Sequence, residues 1–106
     1  MIYSADFSEQ AADDLSDITR YISDELYNPQ AAKRFYNEVA NKLTLLREQP
    51  YMFPLYHDDA LSEEGIRVMV IGNFLMFYAV DAEKSMVSIV RILYGRRNIA
   101  SVLGEA

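Results

Sequence analysis

Apolar positions recur along this chain at two periods, and the changes from one to the other mark its elements. Residues 2 to 7 alternate: Tyr3, Ala5 and Phe7 oppose Ile2, Ser4 and Asp6, the pattern of a short strand. From Glu9 to Leu26 the period lengthens. Ala11, Leu15, Ile18, Ile22 and Leu26 recur at spacings of three and four, which predicts a helix that leaves Asp14, Asp17, Arg20 and Asp24 for solvent. Ser8 suits its N-cap, and Asp13 and Asp14 suit the positive end of its dipole. Asn28-Pro29 ends this helix and starts a second, because asparagine caps and proline is tolerated at the first helical position. The second helix should span residues 29 to 48, with Ala32, Phe35, Val39, Leu43 and Leu46 as its stripe. The short link makes the pair an antiparallel hairpin.

Residues 49 to 65 hold Pro50, Pro54, His57 and several acids without a sustained period, and they read as a long loop with Met52, Phe53 and Leu55 tucked on the core. Two β-rich runs follow, 66 to 71 and 74 to 80, joined by Gly72-Asn73, a two-residue hairpin signal. Phe74, Met76, Tyr78 and Val80 oppose Leu75, Phe77 and Ala79. The last run, Met86 to Arg97, reads as a central strand, with Val87, Ile89, Arg91 and Leu93 opposing Met86, Ser88, Val90, Ile92 and Tyr94. It ends in Gly95, a bend, and then Arg96 and Arg97; residues 98 to 103 could add one or two helical turns.

The order predicts an α+β domain: an N-terminal strand, an antiparallel helical hairpin, and a three-stranded antiparallel run, forming one mostly antiparallel sheet packed on the helices. Two helices cover one face of such a sheet, yet the strands are apolar on both. The other face is therefore expected to meet a partner, since an exposed apolar sheet face exceeds what a soluble monomer usually shows.

Length and composition narrow the chemistry. At 106 residues the chain is one domain, 1–106, and 51% hydrophobic with 25% charged residues is ordinary globular composition. The N-terminal stretch lacks a basic and apolar leader and no run is long enough to span a membrane, so a cytoplasmic protein without membrane contact is expected. With no cysteine and one histidine, thiolate catalysis, a disulfide, a histidine-built metal site and a serine-histidine triad all recede; no cofactor and no metal is expected. His57, beside two aspartates, reads as an exposed loop residue. The net charge of −6 opposes nucleic-acid binding, but the charge is segregated: residues 1 to 64 hold 13 acids and five bases, and residues 65 to 106 three acids and five bases. An anionic ligand would meet the C-terminal half, where Arg96 and Arg97 form an anion-binding candidate.

Several stretches, taken together and in order, resemble the RelE/ParE superfamily of toxins from bacterial type II toxin-antitoxin pairs. They are Asp14-Leu15-x-x-Ile18 in the first helix, Pro50, Gly65-Ile-Arg67, Tyr78-x-Val80 and Ile89-Val-Arg-Ile-Leu-Tyr-Gly-Arg-Arg97. The resemblance covers nearly the whole chain. It implies a toxin neutralised by an antitoxin whose C-terminal segment wraps around it, with Tyr21, Leu26, Phe77 and Leu93 as contacts on the hairpin and sheet.

The superfamily divides by target. RelE-like members are ribosome-dependent endoribonucleases acting on mRNA, and ParE-like members inhibit DNA gyrase. Cleavage by a ribose 2′-hydroxyl needs a base, positive charge on the phosphate and an acid for the leaving oxygen. The resemblance assigns such work to Arg67, Arg91 and Arg97. Against it, Leu75 stands where ribonuclease members often carry arginine, and Leu103 where they carry a C-terminal tyrosine. Gyrase is thus placed ahead of the ribosome, and a non-toxic homodimeric binding module is a third possibility. In other readings Arg67 pairs with Glu63 or Glu64, Arg91 snorkels or is ion-paired on an apolar face, and Tyr94 packs.

Overall fold

The computed structural model describes residues 2–95 and Leu103. Strand β1 (Ser4–Phe7) leads into helix α1 (Glu9–Arg20), and Ser8 caps it as its side chain accepts the Ala11 N–H at 3.0 Å. The Ser8 hydroxyl also donates to the Val90 carbonyl at 2.8 Å, so this cap ties the helix to the sheet. Ser8→Ala should therefore cost about 2 kcal/mol, the upper end for a lost N-cap, as read by urea unfolding.

The first helix does not continue regularly to Leu26. Residues Tyr21–Glu25 form a π-helical turn, with the Leu26 N–H bonded to the Tyr21 carbonyl, and Tyr27 then takes a left-handed φ of 51°. The wider turn breaks the 3.6-residue stripe after Ile22, so Leu26 swings out of the packed face and is 54% exposed. Helix α2 (Pro29–Glu48) has the expected bounds: Asn28 accepts the Ala31 N–H, and Pro29 sits in the first turn. Within residues 49 to 65 a short helix, α3 (Asp59–Glu63), starts on an Asp58 cap.

Strands β2 (Arg67–Ile71), β3 (Phe74–Asp81) and β4 (Met86–Tyr94) complete a four-stranded sheet in the order β1-β4-β3-β2. The sheet is mixed. β2, β3 and β4 are antiparallel, whereas β1 pairs in parallel with the first half of β4, because the intervening hairpin crosses one face. Gly72 supplies the left-handed φ of 59° in the β2–β3 turn.

The helices bury Phe35, Val39 and Leu46 against Met69, Ile71, Met76, Tyr78, Val87, Ile89 and Ile92. The opposite face is not left bare. Leu61 of α3, Ile66 and Leu103 join Phe77 and Leu93 in a second core, flanked by Tyr56 and Val68. The expectation of a wholly uncovered face is corrected here, because the segment read as a solvated loop folds back over the sheet. Alternation in β4 also breaks. Tyr78 pairs with Ile89 and Phe77 with Arg91, so Val90 is an extra residue, a β-bulge. Beyond it Ile92 belongs to the helix-side core and Leu93 to the other, reversing the facing expected from strict alternation.

Candidate functional site

Of the basic residues singled out in the sequence, Arg67 and Arg91 lie within the described residues, and the fold does not bring them together. Arg67 opens β2 opposite Tyr78, on the helix side of the sheet. Its Nη1 donates to the Phe53 carbonyl at 2.7 Å, and its guanidinium lies 5.1 Å from the centroid of the Tyr51 ring. Its partners are thus a main-chain carbonyl and an aromatic ring, not Glu63 or Glu64. Close by, the Tyr78 hydroxyl donates to the Pro50 carbonyl at 3.0 Å. Burial pushes that phenol above the ordinary tyrosine value of 10.0, with backbone hydrogen bonding and the Arg67 charge acting in the opposite direction. Together Arg67 and Tyr78 hold residues 50 to 53 from beneath.

Arg91 is committed elsewhere. Its Nε and Nη2 donate to the two carboxylate oxygens of Asp14 at 2.7 and 3.0 Å, a bidentate pair whose side chains keep 19% and 15% of their exposure. The same carboxylate accepts the Ile92 N–H at 2.9 Å. Its hydrogen bonds to the Asp14 carboxylate raise the guanidinium pKa further, so Arg91 stays charged. Asp14 was assigned to solvent from the helical stripe, and this is corrected. A signal was present, since Asp14 lies three residues beyond buried Ala11, a spacing that shares a helix face.

Arg96 and Arg97 lie outside the described residues, as do residues 98 to 102 of the expected C-terminal helical turns. What the structure supplies is their departure point. The Gly95 N–H bonds to the Asn73 carbonyl at 2.9 Å, and a Cβ on Gly95 would sit 3.3 Å from that oxygen, so glycine lets the end of β4 press against the β2–β3 turn.

Beside this point lies an apolar groove of about 680 Å³ between the end of the first helix and the sheet. Ile18, Ile22, Phe74 and Tyr94 line it, and Tyr21 and Leu26, 52% and 54% exposed, stand at its mouth. The rings of Phe74 and Tyr94 meet edge-on at 5.8 Å. Phe77 and Leu93, expected as partner contacts, are 0% and 2% exposed beneath the chain's own cover of Leu61 and Leu103. The groove was not read from the sequence, because it depends on the π turn and on the bulge that sends Tyr94 to the helix side. His57 is exposed and packs against Tyr56. Among the described residues no cluster of histidine and carboxylate side chains could hold a metal, and no helix is long and apolar enough to cross a membrane.

The chain is similar to a chain of the chromosomal ParDE toxin-antitoxin system of P. aeruginosa, with a TM-score of 0.70 at 18% identity over 88% of this chain and 96% of that one. It is similar to a mutant of E. coli toxin RelE in the free state, with a TM-score of 0.67 at 17% identity over 100% and 95%. It also resembles a chain of the toxin-antitoxin complex RelBE2 from Mycobacterium tuberculosis, with a TM-score of 0.60 at 18% identity over 89% and 99%. These likenesses establish the fold. No curated protein matches the chain. The family model described as the ParE toxin of the type II toxin-antitoxin system parDE matches residues 5–99, nearly the full length, and the chain therefore belongs to the ParE toxin family of type II toxin-antitoxin systems.

Proposed function

We propose that this protein arrests growth in the cytoplasm by acting on DNA gyrase, and that a cognate antitoxin holds it silent. The observation that carries the choice of target is the commitment of Arg67 and Arg91. One is bonded to the Phe53 carbonyl and covered by Tyr51, the other is neutralised by Asp14, and neither is free to clamp a phosphate. A ribosome-dependent nuclease needs several such charges, and losing one transition-state stabiliser commonly costs about 10²-fold or more in rate. Leu75, where ribonuclease members often carry an arginine, packs on the second core instead.

The groove supports the antitoxin. Its apolar lining and the exposed Tyr21 and Leu26 suit a partner segment that inserts side chains, and complexes of toxin with antitoxin are among the structural neighbours. Truncating a central apolar contact commonly costs more than 1 kcal/mol, so Tyr21→Ala and Leu26→Ala should each weaken antitoxin binding by about 10-fold in calorimetry. Unchanged affinity in both variants would place the antitoxin elsewhere.

The target is tested by expressing the toxin alone in bacteria beside an Arg97→Ala variant. Gyrase-dependent DNA breakage is the expected outcome. Discrete cuts in ribosome-bound mRNA that vanish in Arg97→Ala would identify a RelE-like endoribonuclease instead. Neither effect, with a stable dimer in sedimentation, would identify a homodimeric binding module.

A further inference from the structure

Two stretches far apart in the sequence, Asp14-Leu15 in α1 and Arg91-Ile92 in β4, meet at the bulge of the sheet. We propose that Asp14 is a positioning residue: it holds the extra residue Val90 in β4 and thereby decides which faces Ile92, Leu93 and Tyr94 present, Tyr94 at the groove.

The side chains alone do not make that choice. In a strand a shift of one residue exchanges the two faces, and register is firmly specified only where the faces differ in polarity. Here they do not, for Ile92 and Leu93 are both apolar and both buried, one in each core. An unbulged β4 would carry Leu93 to the helix side and Ile92 to the other with little change in buried apolar area. Tyr94 would then leave Phe74 and the groove.

The bulged register is distinguished by its hydrogen bonds. The Ser8 N–H donates to the Ile89 carbonyl at 2.9 Å and the Ser8 hydroxyl to the Val90 carbonyl at 2.8 Å. Successive carbonyls of a regular strand point to opposite sides, so one residue reaching both is possible only at the bulge. Asp14 then receives the chain as it leaves, taking the Arg91 guanidinium on both oxygens and the Ile92 N–H on one. β1 pairs with β4 only as far as Ile89, and beyond that residue α1 takes over the edge. This role does not depend on whether gyrase or the ribosome is the target.

The test compares the wild-type chain with Asp14→Asn and with the double variant Asp14→Leu/Arg91→Leu by NMR. Replacing an ion pair by apolar side chains of similar volume is often neutral for stability, so the double variant isolates register from folding. In it the strand should lose its bulge, and the Ile92 N–H, freed of Asp14, should turn towards β3. The ring contact between Tyr94 and Phe74 should disappear. Asp14→Asn keeps a carbonyl for the Ile92 N–H and should retain the ring contact. A double variant with Tyr94 still on Phe74 would overturn the proposal. If the double variant does not fold, Asp14→Ala is read by the same ring contact, with the same outcomes deciding.

Discussion

Replacing Tyr78 by alanine should destabilise the protein by about 4 kcal/mol, the usual cost of emptying a large aromatic site in a closed core. Tyr78 has no exposed surface, sits between Arg67 of β2 and Ile89 of β4, and carries the hydrogen bond to Pro50. Denaturant unfolding measures the loss, and limited proteolysis between residues 50 and 56 should accelerate. Tyr78→Phe separates the two contributions. It keeps the ring and leaves the Pro50 carbonyl without its donor, a loss of about 1 kcal/mol. The two variants should also differ from wild type in alkali. Because the phenol of the folded chain titrates above its ordinary value of 10.0, the folded state holds that proton longer than the unfolded one. Stability is unaffected by this group below pH 10.0 and falls as the pH rises from there towards the raised value. Tyr78→Phe should lack that increment of alkaline loss. An identical alkaline slope in wild type and Tyr78→Phe would refute the assignment.

The second large effect is expected at the bulge. Arg91→Ala should cost about 3 kcal/mol, the lower end for breaking a buried pair, because it leaves the Asp14 carboxylate mostly enclosed without its counter-charge. Asp14→Ala should cost a similar amount and also strands the Ile92 N–H. The two losses should not add. The double alanine variant should be less destabilised than the sum of the singles, by at least ~1 kcal/mol, since each single change already removes the shared contact. Strict additivity in thermal unfolding would mean that the pair is not coupled and that the bulge is held by Ser8.

This pair also marks the boundary of what could be read from the chain. Arg91 was assigned to catalysis by the resemblance, with snorkelling or ion pairing on an apolar face as the other reading; the second follows from the cost of burying a lone charge, but nothing local names a partner. Asp14 lies 77 residues away, and only the packing of α1 across the end of β1 brings it there. The Arg67 contacts are of the same kind. Glu63 and Glu64 were the near choices in sequence, yet the fold offered the Phe53 carbonyl, 14 residues back, because the loop crosses over the first residue of β2.

The elements whose causes are local were legible. Ser8 and Asn28 are helix caps because short polar side chains there satisfy amides that no upstream turn can reach, and Pro29 starts α2 because it has no amide to satisfy. Gly72-Asn73 makes the hairpin, and the alternation of β3 sends Phe77 and Tyr78 to opposite cores as its pattern requires. The order of elements, with the stretches at Asp14, Pro50, Arg67 and Tyr78 and from Ile89 to Arg97, suggested the superfamily. Tertiary structure decided the rest. The one-residue bulge reversed the faces of Ile92, Leu93 and Tyr94, because two apolar residues in succession are compatible with either register and a distant carboxylate selects between them. The π turn moved Leu26 outward, α3 with Leu103 covered the second face, and the groove beside Tyr94 formed where neither periodicity alone would place it.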